Sequence, residues 1–160
     1  MVTLERVTLI DAPIERCFDL ARSVEVHLAG NVHCGESAIA AGGVTSGLIG
    51  LSQSVSWRAK HFGFWHTLTS RITAMNPHTY FQDVMIQGIF RIMRHDHFFR
   101  AESPAQTEMR DIFTFAAPLP LLGRIAEVIF LGRYMDALLR ERNAAIKAIA
   151  ESAEWTKYLP

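Results

Sequence analysis

Cysteine is scarce in this chain, charge of one sign accumulates nowhere, and no apolar run is long enough to span a bilayer unbroken. The 160 residues include two cysteines, Cys17 and Cys34, at no metal-binding or redox spacing. In a chain that shows no leader they read as reduced thiols, which excludes a disulfide framework. Sixteen basic and sixteen acidic residues give a formal net charge of +0. They are mixed along the chain, so neither a nucleic-acid footprint nor a polybasic membrane anchor is expected. The most apolar window, Ile112 to Leu131, is broken by Pro118, Pro120, Arg124 and Glu127, which argues against a membrane span. The opening Met1-Val-Thr-Leu-Glu-Arg lacks the basic-then-apolar layout of a signal peptide. Repeats, linkers and low-complexity tracts are missing as well. What remains is the expectation of a soluble, cytoplasmic, single domain over 1–160, long enough to bury a sizeable core.

What the chain does have is a long C-terminal helical pattern, Leu121 to about Ser152. Ile125, Val128, Gly132, Met135, Leu139, Ile146 and Ala150 recur at helical steps and form one apolar stripe. Arg133, Arg140, Lys147 and Glu151 fall on the wet side. At about 1.5 Å per residue the segment would run roughly 45 Å. Such a stripe needs a broad apolar surface to lie on.

The rest of the chain supplies one. Val2 to Ile10 is β-branched enough for a first strand. Asp11-Ala-Pro13 then starts a short helix with Asp11 as its cap, and Ile14, Cys17, Phe18 and Ala21 give it one apolar face. Ser23 caps a second short helix through Leu28, and Gly30 ends it. Glu36 to Ala41 is a weak strand. The glycines from Gly42 to Gly50 lack a Gly-Lys-Ser/Thr signature and a following helix, so a plain turn is expected rather than a phosphate loop. Leu51 to His61 alternates, with Leu51, Val55, Trp57 and Ala59 on one face. Phe64 to Met75 follows, placing Phe64, His66, Leu68, Ile72 and Ala74 together. Thr79–Gln87, Ile89–Ala101 and Gln106–Ala117 complete a meander, with turns at Gly88 and at Glu102–Ala105. Pro118 and Pro120 stop the sheet. Strands grouped together and helices segregated from them predict an α+β domain, an antiparallel sheet with helices on one face.

Polar residues sit on the apolar face of three of these strands. Met93, His95, His97 and Phe99 share one side, as do Met109, Asp111, Phe113 and Phe115. A turn near Pro104 puts Asp111 across from His95 or His97. A turn at Gly88 puts Phe81 and Asp83 opposite His95 and Met93. Buried without partners, such groups would cost several kcal/mol, about 2–7 each, so they bond to one another, to water or to a guest. Four readings stay open: a structural hydrogen-bond network, a ligand site, a His-x-His metal site, and an acid–base pair. Trp57 reads as core or pocket wall. His61 and His66 read as partly buried strand-end residues. Arg142, at the edge of the helical stripe, either snorkels or reaches inward to Asp83 or Asp111. Met85, Met93, Met109, Met135, Phe81, Phe99 and Phe113 would suit an adaptable apolar pocket.

These residues together resemble the START-like superfamily, also called SRPBCC or Bet v 1-like, and within it the bacterial proteins related to polyketide cyclases and dehydrases. The likeness is carried by Val55-x-Trp57, His61-Phe62-Gly63, Phe81-x-Asp83, Gly88-x-Phe90, His95-x-His97-x-Phe99, Thr107-x-Met109-x-Asp111, Leu122-Gly123 after Pro118, and Arg142-Asn143. Ile89 stands where such proteins often have proline, and Met93 where they often have an aromatic. The resemblance implies a helix-grip fold, a curved antiparallel sheet wrapped around the long helix with two short helices after the first strand. It also implies a cavity between sheet and helix for a lipophilic partner such as a lipid, a quinone or a polyketide-like aromatic. Candidate ligand-binding residues are Trp57, Phe81, Asp83, Met93, His95 and His97, then Phe99, Met109, Asp111, Phe113, Met135 and Leu139. No cofactor and no metal is expected. The alternatives are a cyclase or dehydratase using His95 or His97 with Asp111, and a closed-core interaction module.

Overall fold

The computed structural model describes residues 1–32, 35–41, 43–117 and 130–159. Strand β1 (Val2–Ile10) leads into helices α1 (Ile14–Ala21) and α2 (Val24–Gly30). Strands β2 (Ser37–Ile39), β3 (Ser54–His61), β4 (Phe64–Asn76), β5 (Tyr80–Gln87), β6 (Ile92–Ser103) and β7 (Gln106–Ala116) follow. Helix α3 (Gly132–Ala150) and a 3-10 turn (Ala153–Lys157) close the chain. The strands form one antiparallel seven-stranded sheet in the order β1-β7-β6-β5-β4-β3-β2. The meander runs from β2 to β7. β1 joins at the far edge, and α1 and α2 carry the chain between the two edges.

Alternation decides which face is inside. In β7 every second residue from Thr107 to Phe115 is buried, and in β6 Met93, His95, His97 and Phe99 are buried together. β6 breaks the pattern at Asp96, buried on the opposite face, where its carboxylate accepts from the Tyr80 hydroxyl at 2.7 Å and from Gln82 Nε2 at 2.7 Å. β-Bulges at Thr69/Ser70 and between Ile72 and Ala74 bend β4. The β3–β4 hairpin turns on Phe62 and Gly63, with φ of 52° and 84°. That is the two-residue turn whose twist suits the flanking strands, and glycine adopts it without strain where Phe62 does not.

Helix α3 crosses the inner face with Gly132, Leu139, Ile146, Ile149 and Ala150 buried. It packs against α2 where Gly30 has no side chain; a Cβ there would stand 3.1 Å from Arg142 Cα. The Arg6 guanidinium grips Asp136, with Nε donating to Oδ1 at 2.8 Å, and so ties the helix to β1. Among the described residues no helix is long and apolar enough to cross a membrane.

Several sequence expectations need correction. Asp11 does not cap α1. Pro13 holds the cap position without a side-chain bond, and the Asp11 carboxylate accepts from Gln106 Nε2 instead. Leu51 is 54% exposed, because it lies in the turn before β3. Phe64 is 72% exposed, at the hairpin end of β4 beyond the reach of the core. β6 starts at Ile92 rather than Ile89, since bends occupy Gly88 to Arg91. The C-terminal helix ends at Ala150, and Ser152 instead caps the 3-10 turn by accepting from Glu154 N. A π-helical turn at Phe130–Leu131 precedes α3. The expected helical residues Ile125 and Val128, like Pro118 and Pro120, lie outside the described residues.

Candidate functional site

The space between sheet and α3 is divided. Toward one end Ile10, Phe18, Phe81, Phe99, Met109 and Ile146 pack into a closed core. Toward the other the packing opens into a cavity of about 190 Å³. Voids in ordinary cores seldom exceed one water molecule, so this is not a packing defect. Its apolar wall comes from Val55 and Trp57 on β3, Leu68 and Ile72 on β4, Met93 on β6, Phe113 on β7, and Met135, Leu138 and Leu139 on α3.

Eight of the twelve residues singled out in the sequence border the cavity: Trp57, Phe81, Asp83, Met93, His95, Phe113, Met135 and Leu139. Phe99 and Met109 instead belong to the closed core, because the inner face continues past the cavity's end. His97 and Asp111 share the inner face but lie behind the wall, with no exposed side-chain surface. In register, His97 is opposite Asp111 and Phe81, and His95 is opposite Phe113 and Asp83. The expected pairing of Phe81 and Asp83 with His95 and Met93 is displaced by two residues, the length that the bends after Gly88 absorb.

The cluster is centred on Asp111. Its Oδ1 lies 3.0 Å from His95 Nε2, and its Oδ2 accepts from Asn143 Nδ2 at 2.7 Å. His97 Nδ1 comes within 2.7 Å of the same Oδ1 at an angle too poor for a hydrogen bond, while its Nε2 reaches Asp83 Oδ2 at 3.3 Å. Arg142 Nη1 stands 3.7 Å from Asp111, and Nη2 donates to the Ala21 carbonyl at 3.0 Å. The inward reading of Arg142 therefore holds for Asp111. His97 also stacks on Phe81 at 4.1 Å and against His95 at 3.8 Å.

Burial and polarity compete here. Burial alone would raise the Asp111 carboxyl, but the contacts from His95 and His97 outweigh it and hold the group well below the usual carboxylate range. Asp83 is lowered in the same way, burial being overcome chiefly by its bond to His97. Burial, reinforced by the charge of His97, pulls His95 down to about 4 against the opposing bond to Asp111. His95 is thus neutral near pH 7, with its Nε2–H given to Asp111. Asp83, His95 and His97 offer ligand atoms within 4.8 Å of one another. The nitrogens of that group already face carboxylates, His95 Nε2 toward Asp111 and His97 Nε2 toward Asp83.

A second polar cluster, not anticipated from the sequence, borders the cavity's other end. His27 stacks on Trp57 at 4.0 Å, and Asn31 Nδ2 donates to Glu36 Oε2 at 2.6 Å. His27 Nε2 lies 3.2 Å from the same oxygen. Burial would raise the Glu36 carboxyl, but the neighbouring His27 and Asn31 lower it overall. Beside them, His61 Nδ1 and the Tyr134 hydroxyl are 2.7 Å apart. Three elements, α2, β3 and α3, and the segment between α2 and β2 contribute, so no local pattern could have announced it. Asn143 was detectable: it interrupts the helical stripe between Leu139 and Ile146, the place where a buried polar side chain would face the sheet.

No family model and no curated protein matches the chain in sequence. Solved structures match it throughout. The aromatase/cyclase Zhui from Streptomyces superposes with a TM-score of 0.74 at 13% identity, covering 94% of this chain and 93% of that one. A Thermus thermophilus protein gives 0.70 at 15% identity, covering 93% and 99%. A START superfamily protein from Mycobacterium smegmatis gives 0.69 at 10%, covering 92% and 98%. The chain shares the helix-grip fold of these structures. Its grip explains the cavity's position, since the helix-grip sheet closes on α3 at the α1 end and stands away from it near β3 and β4.

Proposed function

We propose that this helix-grip protein binds and carries a lipophilic small molecule, a lipid, quinone or polyketide-like aromatic, between its sheet and α3. Trp57, Phe81, Met93, Phe113, Met135 and Leu139 would enclose the apolar body of the guest. Asp83 and His95 would meet its polar end, with His97 and Asp111 holding them from behind. The observation that carries the reading is the cavity of about 190 Å³, walled mostly by apolar side chains with a few polar groups such as Asp83, His95, His27 and Glu36 among them, the usual make-up of a small-molecule pocket. The fold is typical of proteins that bind hydrophobic ligands. A cavity of this size also argues against a closed-core interaction module.

Native mass spectrometry of protein purified without detergent tests the proposal. A co-purifying lipophile, or stoichiometric uptake of the neutral probe phenylnaphthylamine, is expected. Protein of bare mass that takes up no probe overturns it.

A second reading is favoured by one observation: His95 borders the cavity with its Nε2 held 3.0 Å from Asp111 Oδ1. A base oriented in that way would serve a cyclase or dehydratase. Conversion of the extracted guest by wild-type protein but not by His95→Gln would support an enzyme. A guest recovered unchanged after long incubation removes it.

A further inference from the structure

Hydrogen-bonding capacity at the Asp83 end of the cavity is one-sided. Asp83 retains 20% side-chain exposure, whereas His97 and Asp111 retain none. One of its oxygens, Oδ2, meets His97 Nε2; among the described residues Oδ1 has no hydrogen-bond partner. The cations that could balance a guest's negative charge are engaged elsewhere. Arg142 Nη1 is fully buried 3.7 Å from Asp111 with no hydrogen-bond partner among the described residues, so it is turned away from the cavity, and Nη2 is given to the Ala21 carbonyl. Arg22, the other arginine bordering the cavity, pairs with Asp19 and donates to the Ile49 carbonyl. At the far end the acidic group on the wall is Glu36. The cavity thus offers carboxylates at both ends, while its two arginines are held away from it, Arg142 with Nη1 buried and Arg22 paired with Asp19.

We infer that the guest's polar end is a hydrogen-bond donor, a phenolic or alcoholic hydroxyl or an amine, seated on Asp83, and that the cavity rejects free carboxylic acids. This rests on the carrier reading above and narrows it. A hydroxyl would complete Asp83 with a charge-assisted bond. A guest carboxylate at the same place would be buried beside the like charge of Asp83. His97 holds Asp83 from behind, so the acceptor is in position before the guest arrives.

The test uses a matched pair on one skeleton, 2-naphthol and 2-naphthoate, titrated at pH 7 into wild type and Asp83→Asn by calorimetry or fluorescence. Wild type should bind 2-naphthol at least tenfold more tightly. The neutral probe is also the more lipophilic, so the decisive quantity is the change in that ratio. Asp83→Asn should reduce it severalfold, because the amide brings donors that accept a carboxylate. Equal or tighter naphthoate binding to wild type overturns the inference and leaves carriage standing. A ratio that Asp83→Asn does not change overturns it too, since lipophilicity alone would then explain the preference. If neither probe binds, carriage in this cavity and the inference fail together. The wild-type comparison does not depend on how well the variant folds.

Discussion

Asn143 on α3 donates through Nδ2 to Oδ2 of Asp111 on β7 at 2.7 Å, a buried polar tie between helix and sheet. The same nitrogen stands 3.3 Å from Thr8 Oγ1 on β1. Helix α3, edge strand β1 and its neighbour β7 thus meet at one amide, behind the wall that carries His95 and Asp83.

Removing that amide should cost stability rather than shape. Asn143→Ala leaves a buried carboxylate oxygen without its donor, and the loss expected is about 1–3 kcal/mol. Asn143→Asp sets a second carboxylate against Asp111 and should cost more. Chemical denaturation measures both; an aspartate variant as stable as the alanine variant would contradict the placement.

Acid should unfold the protein in two overlapping stages. His95 has a folded value of about 4 against an ordinary 6.5. Between those values the unfolded chain takes up a proton that the native state refuses, so stability falls as pH drops through that window. Asp111 and Asp83 are lowered, so their contribution is present above the ordinary 3.8 and is lost as pH falls further. Denaturation midpoints from pH 7 to pH 3 should therefore decline throughout. His95→Gln should flatten the upper part of the decline, and an unchanged slope there would show that His95 is not the group responsible.

Close approach of α2 to α3 depends on Gly30, where an added Cβ would lie 3.1 Å from Arg142 Cα. Gly30→Val should push the helices apart, at a cost of about 1–3 kcal/mol for overpacking. Gly47, with open space around its Cα but φ of 78°, provides the comparison. Gly47→Ala should cost about 1 kcal/mol through backbone conformation alone. Thermal melts that rank the two the other way would refute the packing argument.

Filling the cavity should abolish uptake without unfolding the protein. Met135 borders the cavity from α3 and is half-buried, so Met135→Trp can project into the open space. Probe affinity should fall at least tenfold, about 1.4 kcal/mol, while the far-ultraviolet circular dichroism stays as in wild type. Undiminished uptake would place the guest elsewhere.

Secondary structure was legible wherever local periodicity carried it. β1 was bounded correctly by its β-branched residues, and the start of α2 by the Ser23 cap, whose side chain accepts from Val26 N, although α2 runs through Gly30 to a cap at Asn31 instead of stopping at Leu28. The inward setting of Asp83, His95, His97 and Asp111 was legible too, because side chains alternate strictly along a strand and each polar residue stood among apolar neighbours of the same parity. Partners were not. Residues absorbed in the bends after Gly88 set which group on β5 meets which on β6, and a shift of two residues keeps the face while changing the neighbour. Nor could periodicity divide one inner face into core and cavity. Phe99 and Phe113 have the same parity on adjacent strands, yet Phe99 packs against Phe18 at 5.4 Å and Phe113 borders open space. The difference is the distance of α1 and α3 from the sheet above each of them. That distance comes from helix packing, as at Gly30 against Arg142, and from the bulges that bend β4, interactions among residues far apart in the chain that no local window of sequence contains.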